Sequence, residues 1–309
     1  MKVYLMLDVG GTNIKAGVLS EDGVLWEDGI ISFDAKSKGS REEIFQNFAA
    51  ILYGLAEKLP EKEIQIEGIG MAFPGPFDYE QGISLMQGLD KYDAIYGIPI
   101  AEELKRYFPA CKNSTLLMET RQFLFLHDVE AFAVGESHYG SGRDCERVMY
   151  LCIGTGAGSA FTRHREILKG EDGTVPPNGW IFATPFLEST VDDHLSVRGL
   201  SSLSRRSFGE AKNGKELYEL CKEGNQTALA VYEEFGSWLR EAMLSFLDTF
   251  RPDGFVLGGQ LSKSFCYYGK AFAEECMKRG ITVYLTQDTS KRALEGLYVR
   301  MKMCSPLSL

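Results

Sequence analysis

The sequence contains no CxxC pair, and none of its cysteines stands in a metal-binding spacing to one of its four histidines. The seven cysteines are therefore expected to be reduced core thiols. Long hydrophobic runs are also lacking at the start, because residues 1–7 lead directly into Asp8 and two glycines. This stretch is too short for a signal sequence or a membrane span, so the cytoplasm is the expected location.

Positive charge is scarce: 33 Lys and Arg stand against 43 Asp and Glu, for a formal net charge of -10. That balance disfavours the capture of nucleic acid, which usually needs a basic surface, but it leaves room for small anions where local donors converge. The chain has 309 residues, of which 44% are hydrophobic. It can bury a substantial core and is expected to divide into two domains.

The first chemical signal is a glycine turn. Residues 3–8 predict a buried strand, residues 10–12 a turn, and the alternation in residues 14–19 a second strand rather than a helix. Dinucleotide-binding and P-loop sites need a helix directly after their glycines, so both are disfavoured. The amides of such a turn and the Thr12 hydroxyl can hold phosphate oxygens, with Asp8 facing a bridging metal ion. A plain β-hairpin is the alternative interpretation.

The strand–glycine–strand pattern recurs at residues 147–161, with its turn at residues 154–158. A third strand, residues 255–257, ends in Gly258 and Gly259 before a predicted helix. Two such hairpins suggest duplicated domains that hold a phosphate-bearing ligand from both sides. Each turn alone is weak evidence for a phosphate-bearing ligand, whereas the ordered set of three turns is much stronger evidence.

These segments resemble the ROK family of bacterial sugar kinases and related repressors. The resemblance is carried by LDVGGTNIK at 7–15, GIGMAFPGPFD at 68–78, HDVEA at 127–131, GTGAG at 154–158 and LGG at 257–259. It implies an α/β fold with two related actin-like, ribonuclease H-like ATPase domains and a cleft between them. It further implies a glucokinase-like enzyme of carbohydrate metabolism that uses ATP and Mg2+ to phosphorylate a hydroxyl of a hexose or N-acetylhexosamine. The expected domains are residues 1–117 with 290–309, and residues 118–289.

By the same resemblance, Asp128 is the general base that accepts the proton of the attacking sugar hydroxyl. A carboxylate suits this role because an alcohol is a poor nucleophile at neutral pH. From the residues alone, Asp128 could instead cap the helix predicted over residues 129–139. The implied ATP or phosphate ligands are Asp8 (indirectly, through magnesium), Gly10, Gly11, Thr12, Lys15, Gly154, Thr155, Gly156, Gly258 and Gly259. The implied sugar ligands are Pro74, Gly75, His127, Asp128 and Asp192.

The sequence departs from the family pattern around the sugar. His127 stands where the family usually has an asparagine, and it is either a sugar contact or a packing residue. Residues 173–182 lack the usual acid and histidine of the sugar and zinc motif, and the family's cysteine cluster is absent, so no zinc site is expected. Asp192 falls at the position of a sugar-binding glutamate, although it could also cap a helix. Trp180 could cover a sugar ring or pack between domains.

Residues 86–100 occupy the family's first-domain sugar loop, where Asp90, Lys91 or Asp93 replaces the usual asparagine or forms a solvated tip. Three other functions compete with the sugar kinase. A transcription regulator would need a helix-turn-helix domain before the first turn, for which residues 1–7 leave no room. A binding protein without turnover and a kinase of a non-sugar hydroxyl stay open. The expected partners are the sugar and ATP, with no nucleic acid and no membrane, and the family commonly forms homodimers.

Overall fold

The computed structural model describes residues 1–26, 29–59, 64–110 and 114–304. The strands are β1 Lys2–Val9, β2 Asn13–Ser20, β3 Ile31–Asp34, β4 Gln65–Phe73, β5 Phe77–Asp78, β6 Ile83–Ser84, β7 Gln122–His127, β8 Arg147–Ile153, β9 Ala157–Arg163, β10 Glu166–Ile167, β11 Pro185–Phe186, β12 Ser189–Thr190, β13 Gly254–Gly258 and β14 Thr282–Leu285. The helices are α1 Arg41–Glu57, α2 Ile100–Lys105, α3 Ser114–Met118, α4 Asp128–Tyr139, α5 Val191–His194, α6 Val197–Phe208, α7 Gly214–Lys222, α8 Gln226–Phe250, α9 Phe265–Tyr268, α10 Lys270–Lys278 and α11 Thr289–Cys304.

The chain forms two compact units. The first comprises Met1–Gly135 and the chain from Ser290 onward, and the second comprises Glu136–Thr289. The units divide inside α4 and at the start of α11. The domain boundaries expected from the sequence, 1–117 with 290–309 and 118–289, remain a prediction.

The described part of the first unit contains a five-stranded sheet in the order β3-β2-β1-β4-β7. Strands β1, β4 and β7 run parallel, whereas β2 and β3 continue the sheet as antiparallel neighbours. Strand β1 is buried along nearly its whole length, as is usual for a central strand with both faces covered. The carboxyl ends of β1, β4 and β7 therefore meet at one edge of the sheet.

Helix α1 covers this sheet and fixes the hydrophobic core of the unit. It begins at a capping box in which the Ser40 hydroxyl accepts from Glu43 N and the Glu43 carboxylate accepts from Ser40 N. Its apolar face, including Ile44, Phe48 and Leu52, is completely buried. The sequence periodicity over residues 41–59 predicts this face because apolar residues recur at the helical period.

Helices α4 and α11 pack closely within the first unit. A Cβ added at Gly296 would lie 1.8 Å from the carbonyl oxygen of Ala131, and one added at Gly135 would lie 1.8 Å from that of Arg292. Only glycine permits this backbone approach, so the two helices depend on both glycines. This contact fixes the position of α4 against α11, and the first residue of α4 is Asp128.

The second unit repeats the arrangement, with the order β10-β9-β8-β13-β14 in its described residues. Again β8, β13 and β14 are parallel, and β9 and β10 continue the sheet as antiparallel neighbours. The long helix α8 buries Phe235, Leu239 and Met243 in the core of this unit. The repeated strand order matches the duplicated domains that the two glycine hairpins predict.

No helix in the described ranges is both long and apolar enough to cross a membrane. The cytoplasmic location expected from the sequence stays a prediction.

Candidate functional site

The first glycine turn joins β1 to β2 in a tight hairpin. Its flanking residues pair in register, Asp8 with Lys15 and Val9 with Ile14. The turn closes with a hydrogen bond of 3.0 Å from Gly10 N to the carbonyl of Asn13. A Cβ at residue 10 would lie 2.8 Å from that oxygen, so the turn requires glycine there. Thr12 is exposed beside it.

The carbonyl groups of this turn all accept hydrogen bonds from the protein. Gly10 O accepts from the Tyr92 hydroxyl at 2.9 Å, and Gly11 O accepts from the Ser37 hydroxyl at 2.5 Å. Thr12 O accepts from Ala35 N at 3.0 Å. Because C=O and the following N–H point in opposite directions in a trans peptide, the next three amides are turned away from these donors. Consecutive amides presented in this way form a nest that suits an anion.

Tyr92 holds the turn from the hydrophobic core. Its side chain is completely buried, and its backbone N donates to the carbonyl of Ser37 at 2.6 Å. Burial, together with the negative charge of Asp34, raises the pKa of the Tyr92 phenol above its ordinary value. The hydroxyl therefore stays protonated and can donate to Gly10 throughout the physiological pH range.

The edge where β1, β4 and β7 end carries the other first-unit candidates. Asp8 pairs with Ala72, and Phe73 pairs with His127, so Asp8, Pro74 and Asp128 come at or directly after these strand ends. Neighbouring strands lie about 4.8 Å apart, which separates β1 from β7 by about 10 Å at this edge. The phosphate turn and Asp128 are thus brought to the same end of one sheet.

Asp128 is the first residue of α4, and its two carboxylate oxygens differ. Oδ1 accepts from Val129 N at 2.8 Å and lies 3.4 Å from His127 Nε2. Oδ2 has no protein partner among the described residues, and 39% of the side chain is exposed. One carboxylate oxygen therefore contacts the backbone at the start of the helix, and the other is left without a protein partner among the described residues, as a base would need.

Tyr79 and Gly75 complete the surroundings of His127. The Tyr79 hydroxyl donates to the carbonyl of Phe73 at 3.0 Å, and its ring meets the His127 ring edge-to-face at 5.9 Å. A Cβ at Gly75 would lie 3.6 Å from the Tyr79 oxygen and 3.9 Å from His127 Cδ2. Burial and then the charge of Asp128 raise the pKa of the Tyr79 phenol. The tyrosine therefore acts as a neutral wall beside the histidine.

The second glycine turn, between β8 and β9, is held by Asp192. Asp192 Oδ1 accepts from Ala157 N at 2.7 Å, and Oδ2 accepts from the Arg198 guanidinium at 2.5 Å. A Cβ at Gly156 would lie 2.5 Å from Asp192 Oδ1. The structure thus places this sequence-predicted sugar residue against the Gly154–Gly156 turn, within the second unit.

Helix α5 is fixed in turn by contacts around His194. Its Nδ1 lies 2.9 Å from the carbonyl of Thr190, and its ring packs edge-to-face on Phe186 at 5.4 Å and on Trp238 at 4.9 Å. The Thr190 hydroxyl accepts from Asp193 N at 3.3 Å and so caps the helix. These contacts determine where the helix presents Asp192.

The third glycine element follows β13 in the second unit. Gly259 has a φ of 85°, and a Cβ there would lie 2.5 Å from the carbonyl of Ile153. Its N–H donates to the Thr289 hydroxyl at 3.0 Å. Because β8 and β13 are parallel and Gly258 pairs with Cys152, the Gly154 and Gly258 turns lie at one edge of this sheet.

Trp180, the aromatic that the sequence suggests for the sugar ring, lies in a segment bound to β9. The Ser159 hydroxyl donates to the carbonyl of Gly179 at 2.6 Å and accepts from Ile181 N at 3.0 Å. The Trp180 ring lies 6.0 Å from that of Phe182. The segment is therefore tied to the sheet of the second unit on both sides of the tryptophan.

The family resemblance implies magnesium at Asp8, and the ligands available there suit this ion. Proteins usually hold this ion through one or two carboxylates together with substrate phosphates. Asp8 is the penultimate residue of β1, close to the amide nest, and supplies one carboxylate near the place where phosphate would bind. Across the chain that the structure describes, no three His, Cys, Asp or Glu side chains gather closely enough to hold a metal ion by themselves.

Sequence reasoning missed the residues that position these turns. Ser37 and Tyr92 act on groups distant in sequence, such as Tyr92 on Gly10, whereas Tyr79 and Arg198 each act on a group six residues away. No local motif marks them. The buried hydroxyls of Ser37 and Tyr92 could have been found only by asking which donors satisfy the carbonyls of the predicted turn.

Comparison with known proteins identifies the family. The ROK family model matches residues 4–292. The chain is 25% identical over 280 residues to a glucokinase of Thermotoga maritima, covering 84% of this chain and 82% of that protein. It is 22% identical over 278 residues to an N-acetyl-D-glucosamine kinase of Haemophilus influenzae, covering 84% of each. A ROK family glucokinase from Streptomyces griseus was solved in complex with glucose and AMPPNP, and this chain matches it with a TM-score of 0.74 at 17% identity. The match covers 97% of this chain and 99% of that chain, and it confirms the expected actin-like fold. Because the family model spans nearly the whole sequence, the chain belongs to the ROK family.

Proposed function

We propose that this protein is an ATP-dependent kinase that phosphorylates a hydroxyl group of a hexose or an N-acetylhexosamine. The relatives support this substrate class, since one is a glucokinase and another an N-acetyl-D-glucosamine kinase. The Streptomyces griseus enzyme, similar in fold, binds glucose and the nucleotide AMPPNP. Substrate and nucleotide of these classes are accordingly expected here.

The observation that carries the proposal is the placement of a phosphate nest and a carboxylate at one sheet edge of the first unit. The carbonyls of Gly10, Gly11 and Thr12 are held by the protein, which turns the following amides outward. Asp128 follows β7, two strands away, and 39% of its side chain is exposed. A terminal phosphate at the nest and a sugar hydroxyl at Asp128 would then be close enough to react with each other.

In the proposed reaction, the sugar hydroxyl loses its proton to Asp128 Oδ2 as its oxygen bonds to the terminal phosphorus. The bond from that phosphorus to the oxygen of the departing ADP breaks in the same displacement. The amides after the first turn stabilise the charge on the phosphate oxygens. Bound magnesium would neutralise part of that charge, and Asp8 is the carboxylate placed to hold it. A positioned base contributes about a hundredfold or more to such a reaction.

We assign the sugar to Pro74, Gly75, His127 and Asp192. The absence of a side chain at Gly75 lets a sugar approach the wall formed by His127 and Tyr79. Each carboxylate oxygen has more than one lone pair, so Asp192 can accept from a sugar hydroxyl while it keeps Ala157 N and Arg198. Each of these contacts would fix one edge or face of the ring.

We assign the nucleotide to both glycine hairpins and to the third turn. Lys15 and Thr12 add a cation and a hydroxyl to the first hairpin. Gly154, Thr155 and Gly156 add a second set of backbone groups. Gly258 ends β13 beside β8 and Gly259 follows it, where the rest of the nucleotide would bind.

The proposal is tested by offering the purified protein a broad panel of hexoses and N-acetylhexosamines with ATP and magnesium. ADP release is followed with a coupled assay. We expect at least one sugar to accelerate ADP release well above the sugar-free rate. If AMPPNP binds and no sugar accelerates release, the protein is a binding protein or acts on a non-sugar hydroxyl, and the proposal is wrong.

A further inference from the structure

We propose that Lys91 is a ligand of the terminal phosphate bound at the β1–β2 turn, an inference that rests on the proposed function. Lys91 belongs to a loop for which the sequence suggested a sugar contact or a solvated tip. The structure places its side chain against the glycine turn instead. A Cβ built on Gly11 would lie 3.2 Å from Lys91 Cδ and 3.8 Å from Lys91 Cβ. The methylene stem therefore covers the backbone of the turn.

The backbone beside Lys91 is attached to the same turn. The next residue, Tyr92, donates its hydroxyl to Gly10 O at 2.9 Å and its N–H to Ser37 O at 2.6 Å. Ser37 in turn donates to Gly11 O. These bonds tie the loop and the turn into one buried network, so the position of Lys91 relative to the turn is built into the fold.

The charge of Lys91 is not neutralised within the described part of the chain, where it forms no ion pair. Its neighbour Asp90 pairs with Lys38 instead. The N–H groups of Gly11 and Thr12 likewise donate to no protein acceptor among the described residues. A half-buried lysine whose stem lies over a turn with uncommitted amides is an arrangement for an anion with several acceptor oxygens. Phosphate has that chemistry.

The terminal phosphate is favoured over the others by the position of Asp128. The base must reach a hydroxyl that attacks the transferred phosphorus, and it lies at the same sheet edge as the turn. The phosphate at this turn is therefore the one that leaves the nucleotide. Once ADP has formed, the nucleotide no longer carries this phosphate, and Lys91 has no contact with it.

The test compares binding of AMPPNP and of ADP, each with magnesium and without sugar, by isothermal titration calorimetry. Lys91→Met keeps the length and apolar stem of the side chain and removes the charge. We expect it to weaken AMPPNP binding about tenfold, as loss of a charge-assisted hydrogen bond does, while ADP binding changes by less than about twofold. Lys91→Arg should restore most of the AMPPNP affinity. Lys38→Met, which removes a nearby exposed cation, should leave both affinities unchanged.

Unchanged AMPPNP affinity in Lys91→Met would overturn the inference, as would equal losses for AMPPNP and ADP. The melting temperature of each variant shows whether it is folded. Because the experiment measures binding without turnover, it is separate from the sugar panel. A negative panel with a selective loss of AMPPNP affinity refutes the proposed function and leaves the Lys91 site standing.

Discussion

The Tyr92 hydroxyl donates a hydrogen bond of 2.9 Å to the carbonyl of Gly10, which couples the phosphate turn to the hydrophobic core of the first unit. The Tyr92 ring stacks on Phe48 at 6.1 Å and meets Phe73 edge-to-face at 5.6 Å. Phe48 lies on α1, and Phe73 ends β4 just before the Pro74–Gly75 segment. One buried tyrosine therefore links the turn, the covering helix and the strand that leads to the sugar candidates.

Replacement of Tyr92 by phenylalanine removes the donor to Gly10 and keeps the ring. The carbonyl is then free to rotate, which disorders the amide after it. We expect the KM for ATP to rise about three- to tenfold, in line with loss of one buried hydrogen bond, while the KM for the sugar stays unchanged. Steady-state kinetics on both substrates measures this. Tyr96→Phe in the same loop, where the residue is 50% exposed, is the matched control. Equal changes in both KM values would argue for a purely structural role.

Gly156→Ala tests the packing of the second turn against Asp192. The added Cβ would lie 2.5 Å from Asp192 Oδ1 and would displace the carboxylate from Ala157 N. Overpacking of this kind costs about 1 to 3 kcal/mol, so the melting temperature should fall. At Gly154 a Cβ meets nothing within 4 Å, and Gly154→Ala should melt like the wild type. Equal melting temperatures for the two variants would show that Asp192 does not constrain residue 156.

Asp192→Asn separates the sugar contact from the support of the turn. Asparagine keeps an acceptor for Ala157 N but loses the charge that binds Arg198. If a sugar hydroxyl donates to Asp192, the KM for the sugar should rise about tenfold, as for a hydrogen bond to a charged group. Arg198→Met removes the ion pair alone and should have a much smaller effect on that KM. A change confined to the KM for ATP would restrict Asp192 to support of the second turn.

Asp193 gives the second unit an acid-sensitive contact. Hydrogen bonds from the Ser189 and Thr190 hydroxyls hold the pKa of the Asp193 carboxyl below its ordinary value. A carboxyl whose pKa is lower in the folded state stabilises the fold above its unfolded pKa, and this contribution is lost as the pH falls through the folded pKa. The melting temperature should therefore fall between about pH 5 and about pH 2. Asp193→Asn and Ser189→Ala should each make this fall shallower, and an unchanged slope in both variants would contradict the assignment.

The hairpins and the family could be predicted from the sequence because their signals are local. The alternation after residues 10–12 and again after residues 154–156 predicts strands, and β2 and β9 are strands. The membership in the ROK family and the actin-like fold are confirmed. For the hairpins, glycines followed by period-two alternation suffice, because a helix would show a different period.

The supports of the site could not be predicted because they depend on tertiary contacts. Tyr92 lies 82 positions from Gly10, and Asp192 lies 35 positions from Ala157. The sequence identifies Asp192 as an acid before a helix, but only the fold shows that both of its oxygens are already engaged. In the same way, the stem of Lys91 over Gly11 follows from the position of the loop and not from its composition.

The most direct test of the account is the turnover of Asp128→Asn on the sugar that the panel identifies. Asparagine caps helices as well as aspartate does and can still accept from Val129 N, so α4 should keep its start. The account predicts that kcat falls about a hundredfold or more, because the amide cannot take the proton, while AMPPNP affinity and melting temperature stay close to wild type. Turnover near the wild-type rate, with folding and nucleotide binding intact, would contradict Asp128 as the base.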